Sequence, residues 1–166
     1  MLRGPTALLL LLAVVPAARA ASPAKQACKP FDVGELRKVL RIPLEKPHGT
    51  GGASLLSCSA EGDKITVTLN HSPEPNTVLG SAGEFQKSVE AARAAGRVQV
   101  QEFKETRCAA LQPSGGSKFA RFKAFCVLHS KQGRYVSLEV LAPSEKKLPR
   151  LEQVRTAAEA AAGRVE

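Results

Sequence analysis

Four cysteines constrain this 166-residue chain more than any other feature: Cys28, Cys58, Cys108 and Cys126. They form an even set behind a leader that reads as a secretory signal. Arg3 gives a positive start, Ala7–Val15 an apolar run, Pro16 a helix break, and Ala18 and Ala20 the small side chains that precede a cut. Nine apolar residues fall well short of the roughly 20 needed to cross a bilayer as a helix, so residues 1–20 read as an address rather than an anchor. In an oxidising compartment an even set of cysteines reads as disulfides. Three pairings are open, and chain order favours Cys28–Cys58 with Cys108–Cys126, each tying neighbouring elements. With no Cys-x-x-Cys, the zinc and redox readings lack their motif.

Hydrophobic residues at 43% and charged residues at 23% describe an ordinary globular chain of one domain. The expected division is a signal peptide over 1–20, a short polar leader over 21–30, and one disulfide-stapled domain over 31–166. Of 24 basic residues the leader removes Arg3 and Arg19, leaving 22 against 15 acidic, or +7. Arg97–Arg155 carries 12 basic and 5 acidic residues and holds all of that excess. A basic C-terminal half suits an acidic protein, lipid or envelope polymer as partner, set against the plainer reading of a solvated surface. Nucleic acid is disfavoured for an exported chain.

Periodicity gives the elements. Asp32 caps a helix to about Leu40 with Glu35 three residues on. Pro43 and Pro47 stop it, and Lys46–Gly52 reads as a glycine-rich loop. A hairpin with Gly62-Asp63 as its turn pairs Cys58 with Val67 and Leu56 with Leu69, keeping Leu56, Cys58, Ile65, Val67 and Leu69 on one face. Asn70–Leu79 reads as a proline-containing loop. Ser81 and Glu84 open a helix over about Gly83–Ala95, with Phe85, Val89 and Ala92 as its apolar side. Strands follow at about Arg97–Lys104, Thr106–Leu111, Lys118–His129 and Arg134–Leu141. The last pair, closed by Lys131-Gln132-Gly133, sets Leu128, Cys126 and Ala124 against Val136, Leu138 and Val140. Pro149 opens a final helix to about Gly163 with Leu151, Val154, Ala158, Ala161 and Val165 at helical spacing. The order α-ββ-α-ββββ-α predicts an α+β domain, a mainly antiparallel sheet of about six strands with helices on one face.

Catalytic motifs are wanting. His48, His71 and His129 lack metal-ligand spacing and read as solvated loop residues. Asn70-His71-Ser72 matches a glycosylation sequon, with Pro73 against its use. His48–Gly52 lacks the Gly-Lys-Ser/Thr of a phosphate loop, no Gly-x-Ser-x-Gly elbow exists, and no pair of carboxylates stands out. No catalytic residue, metal or cofactor is nominated. The one suggestive pattern is a strand face bearing Phe119, Arg121, Lys123 and Phe125, where cations interleave with aromatics and an anionic partner could sit. A mixed outer sheet face explains the same pattern.

Cystatins share a helix, antiparallel strands and two disulfides, but Gln99-Val100-Gln101 lacks the spacing and glycine of their Gln-x-Val-x-Gly loop. Their Pro-Trp loop is impossible in a chain without Trp, so that match is rejected. The early Cys28 and helix, Cys58 leading into the strand Ile65–Asn70, and a second αβ half are similar to small exported bacterial domains of unknown function. That resemblance implies an α+β binding domain of the periplasm or exterior. The expectation is an exported, non-enzymatic binding domain of the bacterial envelope; the alternative is a small hydrolase-like envelope enzyme with dispersed acid and base.

Overall fold

The computed structural model describes residues 22–113 and 121–166; the signal-peptide reading over 1–20, Phe119, and most of the Pro113–Gly116 turn lie outside the described residues. The α+β expectation holds, with seven strands rather than six. In chain order the elements are α1 (Pro23–Cys28), α2 (Val33–Leu40), β1 (His48–Gly51), β2 (Leu56–Gly62), β3 (Ile65–Pro75), α3 (Ala82–Ala95), β4 (Val98–Glu102), β5 (Arg107–Leu111), β6 (Phe122–His129), β7 (Arg134–Ala142) and α4 (Leu151–Ala162), with a 3₁₀ turn at Glu145–Lys147. The sheet runs β1-β2-β3-β7-β6-β5-β4, antiparallel throughout. Two meanders, β1–β3 and β4–β7, thus join along β3 and β7, and α3 carries the chain from the middle of the sheet to its far edge.

Both expected disulfides are present. Cys28–Cys58 staples α1 to β2, and Cys108–Cys126 links directly opposed residues of β5 and β6. Two disulfides belong to an oxidising compartment outside the cytoplasm. No described helix is long and apolar enough to cross a membrane.

The polar leader is part of the fold. Residues 23–28 form α1, which packs on β1 and β2 and buries Ala27. The glycine-rich stretch is also no loop: His48–Gly51 pairs with β2 as the edge strand. The reason is α1 itself. A Cβ on Gly49 would collide with the Ala24 carbonyl, so glycine here lets a helix lie directly across a strand.

The β2–β3 turn is Asp63-Lys64 rather than Gly62-Asp63. Both residues have positive φ (51° and 66°), the signature of a type I′ turn. Cys58 therefore opposes Leu69, not Val67, and Leu56 opposes His71. Gly62 serves close approach instead, since a Cβ there would run into the Pro43 carbonyl. Because the shift is two residues, every side chain keeps its face, and Leu56, Cys58, Ile65, Val67 and Leu69 are all buried. β3 also runs on to Pro75, through what reads in sequence as a loop. β2 ends opposite His71, so Pro73 and Pro75 sit where β3 has β7 alone for a neighbour and a missing N–H costs least.

The inner face of the sheet forms the main core. Val67, Leu69, Ala124, Cys126, Val136, Leu138 and Val140 pack there with Leu36 and Leu40 of α2 and Val154, Ala157, Ala158 and Ala161 of α4. Asp32 Oδ1 accepts from the Glu35 N–H at the start of α2 as expected, and Gln153 Nε2 of α4 donates to the Val39 carbonyl at 2.9 Å. The β6–β7 register is the predicted one, with Leu128, Cys126 and Ala124 against Val136, Leu138 and Val140. One helix departs from the one-face expectation. Phe85 and Val89 of α3 pack with Ala109 and Val127, which alternate to the outer face, so α3 covers that face at its β4–β6 end.

A candidate binding groove on the outer face

Where α3 stops covering the outer face, the sheet opens into a recess of about 250 Å³. Alternation decides its floor. On β7, Val136 and Leu138 point inward, so Tyr135, Ser137 and Glu139 point outward; on β6 the outward set is Lys123, Phe125 and Val127; on β3 it includes Asn70. Glu84, Phe85 and Ser88 of α3 form the wall.

Three contacts fix the aromatic side. Phe85 and Phe125 meet at 5.8 Å between centroids with planes tilted 57°, and the Lys123 ammonium lies 5.2 Å from the Phe125 centroid. Tyr135 packs against Gly80, whose φ of +73° and nearness to the ring (a Cβ would lie 2.8 Å from it) both exclude a side chain. Burial pushes the Tyr135 phenol above its ordinary range; the Ser137 hydroxyl opposes this, and the carboxylates of Glu84 and Glu139 add to it.

The polar side is equally committed. Lys123 is ion-paired with Glu139 across β6 and β7. Asn70 Oδ1 accepts from Ser57 Oγ at 2.5 Å, and Asn70 Nδ2 donates to Ser137 Oγ at 3.3 Å. The sequon amide is thus engaged within the sheet. Ser59 and Thr68 pair their hydroxyls at 2.9 Å further along the same face. The Gly80 N–H donates to Glu84 Oε2 at 2.5 Å, and His129 Nε2 lies 2.9 and 3.0 Å from the carbonyls of Asn76 and Leu79, donating to them and holding the approach to α3.

Of the four residues proposed from sequence, Lys123 and Phe125 line the groove, Phe119 lies outside the described residues, and Arg121 stands apart, its Nη1 donating to the Lys64 carbonyl at 2.7 Å. Comparison with family models, curated proteins and solved structures returns no match. The groove must be read from its own chemistry. Tyr135, Ser137 and Glu139 escaped the sequence reading although the predicted β6–β7 register already placed Glu139 opposite Phe125 and beside Lys123. Asn70 escaped because its strand was read as ending there. The expectation of solvated loop histidines fails on placement for all three, since each lies on a strand: His48 is exposed on β1, His71 is 5% exposed on β3 and His129 is half-buried on β6. Among the described residues no cluster of His, Cys, Asp or Glu is placed to hold a metal ion.

Proposed function

We propose that this chain is an exported, non-enzymatic binding domain of the bacterial envelope, and that it takes its ligand in the groove between α3 and the outer sheet face. The observation that carries this reading is the groove's composition. Three aromatic rings and a row of hydroxyl and amide groups surround one open recess; Lys123 and Glu139 neutralise each other, and the one further charge, Glu84, accepts from the Gly80 N–H. Such a lining suits a short polar segment with both donors and acceptors, a sugar or peptide unit of an envelope polymer, rather than a strongly acidic ligand. A recess of about 250 Å³ is below the usual size of a drug-sized pocket, so one such unit fits and the rest of the polymer would lie along the open sheet.

Binding is favoured over acid–base chemistry by what the titratable groups already do. No histidine lines the groove, Glu139 is held by Lys123, and Glu84 accepts from a backbone N–H. The acidic-partner reading rests on a different surface. Arg41, Lys146, Lys147 and Arg150 gather about a recess of about 390 Å³ at the start of α4, with Asp63 as the one acid there, paired with Lys147. Binding to that surface would fade as salt approaches ~0.15 M, whereas groove binding would persist.

Tyr135 is the one tyrosine in a chain without tryptophan, so its fluorescence reports the groove directly. Titration with soluble glycan and peptide fragments of the envelope polymer should change that emission saturably. Ser88→Arg, on the exposed side of the wall, adds bulk without a second fluorophore and should block the effect without touching the core. If no fragment alters the emission, or if S88R binds as the unaltered chain does, the groove is not the binding site.

A further inference from the structure

The two edges of the sheet differ in how they are guarded. β1 is short, carries Gly49 and Gly51, and lies directly beneath α1. β4, at the other edge, reads Val98-Gln99-Val100-Gln101-Glu102. It holds no proline and no lysine, its register with β5 is unbroken from end to end, and among the described residues no strand lies beyond it. Proline, lysine, a bulge or a covering element is what normally keeps an edge from pairing with another chain. From Val98 to Gln101 β4 has none of them.

Backbone bonding shows which of its groups are free. The Phe103 N–H donates to the Thr106 carbonyl and the Gln112 N–H to the Arg97 carbonyl, both at 2.9 Å. With the unbroken register between them, these bonds make Gln99 and Gln101 the residues that exchange hydrogen bonds with Ala110 and Cys108 of β5. Val98, Val100 and Glu102 therefore turn their N–H and C=O groups outward. Such a row is completed by another strand.

β4 is complementary to itself. Turned antiparallel about Val100, a second copy sets Val98 opposite the partner's Glu102 and Val100 opposite the partner's Val100, so every outward N–H and C=O of the three meets its complement. Side chains agree with that register. Val98 and Val100 pack beside Phe85 and Val89 on the outer face, so the two Val100 side chains extend an apolar cluster already there. Gln99 and Gln101 are exposed on the other face, where each meets the partner's opposite amide, both donor and acceptor. Slid two residues one way the pairing opposes Glu102 to the partner's Glu102, and slid the other way it leaves Glu102 beyond the strand. We infer that two copies of this chain pair through β4 about a two-fold axis at Val100, joining their sheets into one. No residue of β4 lines the groove beside α3, so this inference and the binding reading stand or fall separately.

Sedimentation equilibrium of the disulfide-bonded protein, from about 1 to 500 µM, should show monomer passing to dimer with a Kd on the order of 100 µM, as suits so small an interface. Gln99→Lys with Gln101→Lys opposes like charges at two places and should raise Kd about tenfold. Gln99→Lys with Gln101→Glu opposes unlike charges at the same places and should leave Kd unchanged or lower it. Val100→Pro deletes an outward N–H and no bond to β5, which an edge strand tolerates, and should give a monomer throughout with a melt close to that of the unaltered chain. Gln101→Pro deletes a bond to Cys108 instead and should lower the melt. A chain that stays monomeric across the whole range overturns the inference. So does a dimer that survives V100P, or one whose Kd is the same in Q99K/Q101K and Q99K/Q101E. Should V100P fail to fold, those two double variants, which alter exposed side chains only, decide the matter.

Discussion

On its inner face the sheet presents Val67, Leu69, Cys126, Val136, Leu138 and Val140 to α2 and α4, all sealed from solvent. Strands β2, β3 and β7 present Ser57, Ser59, Thr66, Thr68, Asn70 and Glu139 on the outer face, half-buried, with Ser57 bonded to Asn70, Ser59 to Thr68 and Glu139 paired with Lys123, and α3 covers the far end only. An alternating strand supplies both faces from one sequence, yet the two contribute differently. Apolar burial on the inside sets stability, while the polar rows outside are already satisfied and cost little to leave in water. The groove opens on that outer face where α3 stops covering it.

That contrast can be broken most directly by truncation. Leu138→Ala deletes buried methyl groups at the centre of the inner face and should cost about 3 kcal/mol, within the range for core leucines. Thr68→Ala, on the neighbouring strand but facing outward, loses one exposed-side hydroxyl pair and should cost under about 1 kcal/mol. Urea midpoints of the two variants measure the gap. Equal losses would mean that the outer row is part of the core and not a recognition surface.

A subtler comparison lies at two glycines three residues apart. Gly80 combines a positive φ with the Tyr135 ring pressed against it, so Gly80→Ala should cost about 1–3 kcal/mol and alter Tyr135 emission. Gly83, in the first turn of α3 with open space around its Cα, should tolerate alanine and gain about 0.4–1 kcal/mol. Thermal melts followed by tyrosine fluorescence read both. If Gly80→Ala leaves melting and emission alone, Tyr135 is not held as the groove requires.

How much of this was legible follows the same division. The inner face was readable because alternation and helical spacing mark it residue by residue: Leu128, Cys126 and Ala124 found their partners, and α4 buried the stripe assigned to it. The β2–β3 faces came out right while the register was off by two, because glycine at 62 was credited to turn geometry when it serves contact with Pro43. Glycine in β1 and proline in β3 misled for a related reason. Both signal loops when chain neighbours alone are considered, and both fit strands here because of what lies beside them, α1 over Gly49 and a missing neighbour beside Pro73. The outer face was harder. The narrow apolar stripe of α3, Phe85 and Val89, fits either side of a sheet, and no local signal says which. Lys123 and Phe125 were found by their pattern, but Glu139, which neutralises Lys123, changes what that pattern means.

The smallest effect is also the one that sets the two faces against each other most sharply, because each buries one titratable ring. His71 sits on the inner side with its pKa lowered by burial from 6.5. Below that value the unfolded chain takes up a proton that the native ring refuses, so stability is full above pH 6.5 and declines as pH falls toward the native pKa. Tyr135 sits on the outer side with its pKa raised from 10.0. Its contribution is full below pH 10 and declines as pH rises, because the unfolded chain ionises first. The exposed Asp32 carboxylate, lowered from 3.8 chiefly by its hydrogen bond from the Glu35 N–H, acts in a separate and more acid window. Urea midpoints measured across pH should therefore fall at both ends. His71→Gln should flatten the limb just below pH 6.5 and leave the alkaline limb intact, and Tyr135→Phe should do the reverse. A His71→Gln variant that keeps the acid slope would mean that another group sets the acid limb and that the inner face does not seal this ring from water.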